Sequence, residues 1–192
     1  MTDSKQRCAW AGSAPDFPDY HDKEWGFPVA DDQRLFEKLC LETFQSGLSW
    51  RTILTKRENF RLAFQQFDFN KVALFDDKDV KALLNNEGIV RNKRKILAVI
   101  NNAKRAQEMI AKEGSIAAFL WRYEPDEITL PPPQSQTTCK ESIALSKDLK
   151  KLGWTFVGPT TLYALMQSMG LINDHEEGCF MQEKIDKARK AF

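Results

Sequence analysis

The stretch from Lys150 to Cys179, KKLGWTFVGPTTLYALMQSMGLINDHEEGC, constrains the fold more than any other part of the chain. Just upstream, Leu145, Leu149 and Leu152 recur at helical spacing and make one apolar stripe. Gly153 stops that helix, because glycine alone takes a left-handed backbone at low cost. Gly158 closes a short hairpin, and Pro159 stands where the first turn of a helix accepts proline. Leu162, Leu165, Met166 and Met169 then form the next stripe. The segment reads as helix, glycine-bounded hairpin, helix. Free N–H groups at Gly158 and the turn after it would hold a phosphate, aided by the helix dipole, with Lys150 and Lys151 as counter-charges. That is a helix-hairpin-helix contact for nucleic acid. An ordinary helical hairpin without a ligand satisfies the same spacing.

Helical periodicity continues through the rest of the chain. Asp31 and Asp32 cap a helix with Leu35, Phe36, Leu39, Leu41 and Phe44 on its stripe, and Gly47 ends it. Ser49 caps the next, with Trp50, Ile53, Leu54 and later Phe60 and Phe64. Two short helices are expected near 70–75 and 77–86, a long one over about 91–113, and a last short one over 115–123. The final residues, QEKIDKARKAF, suit a frayed helix. No apolar alternation lasts four residues, so the fold class expected is all-α. Residues 125–140, PDEITLPPPQSQTTCK, form a stiff proline-rich linker between an N-terminal helical body and a hairpin unit over about 141–179. The 192 residues make a single domain, in two closely packed lobes.

Charge limits the partners. Lysine and arginine balance aspartate and glutamate to a net +1, so a DNA-coating protein is excluded and any nucleic-acid face is a local patch. The densest basic run, Arg91 to Lys95, fits either a solvated helix face or phosphate contact. The start, MTDSKQR, lacks a signal peptide's apolar core, and no run reaches membrane-spanning length. A cytoplasmic protein follows, with reduced cysteines. Cys40 reads as a core thiol, and Cys139 has no partner legible in the sequence.

The chain has two histidines, and each stands near a cysteine: Cys8-x12-His21 at one end, His175-x3-Cys179 at the other. Two cysteines and two histidines make a saturated tetrahedral zinc set with no place for water, which suits a structural metal and not a zinc hydrolase. Two satisfied histidines and two buried thiols fit the same residues. Asn173 and Asp174 adjoin His175, and either could orient a ligand.

Residues 8–30 have no period and are dense in aromatics: Trp10, Phe17, Tyr20, Trp25 and Phe27. Such a loop must fold against the body or line a cleft. Glu42 is flanked by Leu41, Phe44 and Leu48, at the edge of an apolar stripe, where either a surface position or a pocket suits it. With Tyr20, Trp25 and Trp50 it would form a carboxylate in an aromatic box, fit for a flat cationic ligand.

The blocks CAWAG, YHDKEWGFP, LCLETFQSGLSWRTIL, KRENFR and KKLGWTFVGPTTLYALMQSMGLINDHEEGC, in order over about 8–179, resemble the 3-methyladenine DNA glycosylase I family. The resemblance implies the helix-hairpin-helix glycosylase fold and a zinc ion held between the chain ends by Cys8, His21, His175 and Cys179. It implies that Glu42 contacts the base, that Tyr20 and Trp50 stack on it, and that Trp10 and Trp25 line the same region. Gly47 and Leu48 would approach the gap that a flipped base leaves. Lys150, Lys151, Gly153 and Gly158 would meet the DNA backbone. The function implied is hydrolytic excision of 3-methyladenine from alkylated double-stranded DNA by a monomer. The catalytic aspartate of many relatives in the superfamily is missing from its usual place. Asp174 is nearest in sequence and reads as a group behind the metal and not as a base. A catalytically silent damage-binding module is the alternative, against which the full aromatic set and Glu42 stand.

Overall fold

The computed structural model describes residues 5–192, and the described residues form helices and turns without a strand. The helices are α1 (Phe17–Lys23), α2 (Asp32–Gln45), α3 (Trp50–Thr55), α4 (Arg57–Ala63), α5 (Phe69–Val72), α6 (Asp77–Asn85), α7 (Lys93–Glu113), α8 (Ile116–Leu120), α9 (Lys140–Lys151), α10 (Pro159–Ser168) and α11 (Gln182–Lys190). None is long and apolar enough to cross a membrane.

The caps explain most boundaries. Asp31 accepts from the Arg34 amide at the start of α2, and Ser49 accepts from the Thr52 amide at the start of α3. Cys139 has a partner after all: its sulfur accepts from the Ser142 amide and caps α9. The single helix expected after Ser49 breaks at Lys56, which leaves the helical region (φ −98°, ψ 0°) and separates α3 from α4.

α2 is the central element. Ten of its fourteen residues are buried, and it packs on α3, α7, α8 and α10. The phenylalanines fill the space beside it: Phe44 meets Phe60 at 4.6 Å, and Phe64 stacks on Phe67 at 5.6 Å, all four fully buried. Each such side chain contributes about 1.5–3 kcal/mol over an exposed one, and this layer takes four of the chain's thirteen phenylalanines.

A smaller cluster forms where the chain ends meet. Cys8, Tyr20, Trp25, Cys179, Met181 and Ile185 are buried together, with Trp10, Phe27 and Trp50 packed against them. The aromatic segment 8–30 is thus not irregular: it contains a 3-10 turn at Ala9–Gly12 and then α1, which buries Tyr20 and His21. It lies along the end of α10, where Gly26 donates to the Ser168 carbonyl and Val29 to that of Met169. The crossing needs Gly170, because a Cβ there (φ +84°) would stand 2.4 Å from the Pro28 nitrogen.

The proline-rich segment is tied down by Asp174. Its carboxylate accepts from the Gln134 amide and from Gln167 Nε2, and its carbonyl accepts from Gln134 Nε2. Asp174 therefore fastens Gln134 to the end of α10, and it is Asn173, not Asp174, that meets the His175 ring. Burial holds its carboxyl above the ordinary aspartate range.

Candidate active site and cysteine-histidine cluster

Cys8, His21 and Cys179 converge. Their ligand atoms lie within 4.8 Å of one another, all three residues are buried, and Cys179 Sγ is 3.4 Å from His21 Nε2. His175 stands beside them, its ring 5.0 Å from that of His21, and its buried Nε2 has no hydrogen-bond partner. Each histidine is oriented through its other nitrogen: His21 Nδ1 on Asp22 at 2.8 Å, His175 Nδ1 on Asn173 at 2.8 Å. Asp22 is itself held by Arg7. Burial lowers His21, against the pull of Asp22, and takes His175 down to about 3, so that ring is neutral with its Nε2 lone pair unspent. Burial likewise pushes the Cys8 thiol up to about 12. Two sulfurs and the His21 imidazole are donors that suit a metal ion, and His175, with its orphaned nitrogen, stands next to them. The group formed by Cys8, His21 and Cys179 could hold a metal ion.

The aromatic side chains rest on this cluster. Trp25 lies edge-on against His175 at 4.5 Å and Trp10 against His21 at 5.3 Å, while Trp10 and Trp25 meet at 5.1 Å. Tyr20 touches Trp10 on one side and Trp50 on the other, at 6.2 and 5.3 Å. Trp10 and Trp25 therefore sit over the histidines, and Tyr20 links them to Trp50.

Glu42 is buried, 5% exposed, on the inner face of α2. It is not alone. Lys38, one turn earlier and 3% exposed, places its ammonium 2.8 Å from Glu42 Oε1 and 2.8 Å from the Tyr20 hydroxyl. The same nitrogen stands 3.4 Å from the centre of the Trp50 ring, a close cation–π contact. Burial draws the lysine below its ordinary range against the opposing pull of Glu42, and burial together with Glu42 holds the Tyr20 hydroxyl well above its own. The indole N–H of Trp50 is buried without a partner. Sequence reasoning missed Lys38. Its spacing of four from Glu42 was the available signal, since i,i+4 residues share a helix face.

Glu42 also borders a cavity of about 310 Å³ whose walls include Gly47, Leu48, Thr160 and Thr161. The turn after α2 and the start of α10 thus face each other across one opening. Gly47 (φ +79°) and the 42%-exposed Leu48 form its rim. Lys95, read as part of a basic run, is buried and donates to the carbonyls of Phe44 and Ser46, so it caps α2 and fixes that rim. On the other side, Gly153 adopts the expected left-handed backbone (φ +83°), whereas Gly158 does not: at φ −68° any residue fits. A Cβ on Gly158 would meet nothing nearer than 4.0 Å, so the empty space in front of it, and not the backbone, is what glycine provides. No side chain caps α10, which leaves its first amides pointing outward. Lys150 and Lys151 are exposed at the end of α9, Lys151 in a surface pair with Asp148 at 2.7 Å.

Comparison with known proteins agrees with this architecture. The family model described as methyladenine glycosylase matches residues 10–182. A DNA-3-methyladenine glycosylase of Haemophilus influenzae is 46% identical over 90% of this chain and 96% of its own. DNA-3-methyladenine glycosylase 1 of Escherichia coli is 44% identical over 91% and 95%. Among solved structures, 3-methyladenine DNA glycosylase I of Staphylococcus aureus superposes with a TM-score of 0.85 at 33% identity, covering 94% of this chain and 98% of that one.

Proposed function

This chain belongs to the methyladenine glycosylase family, and we propose that it excises 3-methyladenine from alkylated duplex DNA at the pocket of Glu42, Tyr20 and Trp50, leaving an abasic site. One observation carries the reading: a buried carboxylate beside two aromatic rings, opening on a cavity shared by the α2–α3 turn and the start of α10. A flat base with N–H donors suits such a pocket, and a related solved structure is described as a complex with 3-methyladenine.

Methylation at N3 makes adenine cationic in DNA and weakens its bond to the sugar. The nucleotide leaves the duplex at a cost of a few kcal/mol, lower for a damaged base. Leu48 on its exposed rim enters the gap. Glu42 accepts from the base's N–H groups, while Trp50 and Tyr20 stack on its face. When the bond between C1′ and the base breaks, its electron pair goes to the base, which departs neutral. Water adds its oxygen to C1′ and gives its proton to solvent. The Gly153–Gly158 turn and the open amides of α10 hold a phosphate as a helix-hairpin-helix, with Lys150 and Lys151 as counter-charges. One copy of the chain, in the cytoplasm, serves one lesion.

A zinc ion held by Cys8, His21, His175 and Cys179 is structural in this reading, since four protein ligands leave no position for water. Those residues fix Trp10, Trp25 and Tyr20 relative to the chain's other end.

The test is Glu42→Gln in single-turnover release of 3-methyladenine. Release falls sharply while duplex binding persists; undiminished release by the folded variant overturns the assignment of the pocket.

A further inference from the structure

Lys38 already fills the place that the proposed pocket reserves for a base. Its ammonium lies 3.4 Å from the Trp50 ring centre, within the layer that a stacked ring would occupy, and it engages Glu42 and the Tyr20 hydroxyl at 2.8 Å each. A base and the ammonium cannot share that face. The rings have no spare room either: a base between two rings needs their centres roughly 7 Å apart, two contact distances, and Tyr20 and Trp50 stand at 5.3 Å.

We propose that Lys38 is a specificity-determining residue of this site: an internal cation that occupies Trp50 and Glu42 in the free protein and that a base must displace to bind. The inference rests on the excision reading above. It follows from the chemistry of exchange. Removing one partner of a buried ion pair leaves the other uncompensated, so a base that only stacks cannot repay the departure of Lys38. A base that carries positive charge and offers N–H donors takes over both functions, with Glu42 as acceptor and Trp50 as ring. The net charge of the pocket is then the same before and after. An undamaged neutral base restores only part of this and is turned away. The four-carbon stem of lysine lets the ammonium leave without moving α2, and Tyr20 also lines an open cavity of about 470 Å³ whose walls carry Asp16, Asp19, Glu24 and Glu58 together with Lys23 and Arg57.

The test titrates the 3,9-dimethyladeninium cation, which keeps the positive charge that 3-methyladenine carries in DNA, into the wild type, Lys38→Met and Lys38→Arg. Lys38→Met, which keeps the stem and loses the competing charge, is expected to bind at least fivefold more tightly, and Lys38→Arg no more tightly than the wild type. Because loss of the pair can unfold the Met variant, the wild type labelled with 13C-lysine gives a second reading. The Lys38 ε-methylene signals, identified by their loss in Lys38→Arg, sit upfield in the ring current of Trp50. They should return to ordinary positions when base saturates the protein. Equal or weaker binding by a folded Lys38→Met, or Lys38 signals that stay upfield at saturation, overturns the proposal. A wild type that neither binds this cation nor releases 3-methyladenine from methylated duplex overturns the excision reading itself, and the inference falls with it.

Discussion

Glu42 and Lys38 hold each other in place, since either charge alone in that interior would be uncompensated. Glu42→Gln therefore acts twice. It removes the charged acceptor for the base's N–H groups, which should cost excision about 2–3 kcal/mol, roughly 30- to 150-fold in single-turnover rate. It also leaves Lys38 with a weaker partner, so the melting temperature should fall as well; treating Glu42 as a solitary carboxylate would leave folding almost untouched. A melting curve fixes a temperature at which both proteins are folded and separates the two effects. Residue type suggested a grouping of Glu42 with Tyr20, Trp25 and Trp50, and the family resemblance gave Tyr20 and Trp50 their roles; Trp25 lies instead against His175. The positions of Lys38 and Lys95 were not legible, because a lysine's stem carries its charge far from its Cα. Lys95 begins in a run of exposed cations and ends on the Phe44 and Ser46 carbonyls. Asp174 shows the same limit: adjacency to His175 suggested a metal role, and its bonds run to Gln134 and Gln167.

Between α9 and α10 the backbone turns through Gly153, and the first amides of α10 remain uncapped. With the exposed Lys150 and Lys151, that turn is the element proposed to meet the DNA backbone. Changing both lysines to alanine should weaken binding to all duplexes alike and reduce the salt dependence by about one or two phosphate contacts. The surface pair of Lys151 with Asp148 changes this little, since exposed pairs contribute at most about 1 kcal/mol. Unchanged affinity and salt slope would make the hairpin purely structural. The helices around it were readable because apolar spacing and capping residues act locally, as at Asp31 and Ser49. α1 was hidden: in FPDYHDK the buried Tyr20 and His21 are adjacent and no apolar stripe forms. Its buried side chains pack on Cys179 and Met181, far away in sequence.

Over the whole molecule, the cysteine-histidine cluster joins the two ends of the chain beneath the aromatic side chains. The four residues could be picked from the sequence by their types alone. Their meeting depends on Gly170 and the Pro28 crossing, which no local pattern reports. Purified protein should carry about one zinc per chain, as a closed four-ligand site requires, and Cys179→Ala should lose metal and thermal stability together. A wild type that is fully stable without metal would refute the structural role. The central claim is that a whole protein so built removes a methylated base from DNA. Chromatography of the free bases released from methylated duplex DNA tests it most directly. The wild type should release 3-methyladenine in step with new abasic sites and release no adenine from unmethylated duplex. Methylated duplex recovered with its 3-methyladenine intact after incubation with folded, metal-replete protein would contradict it.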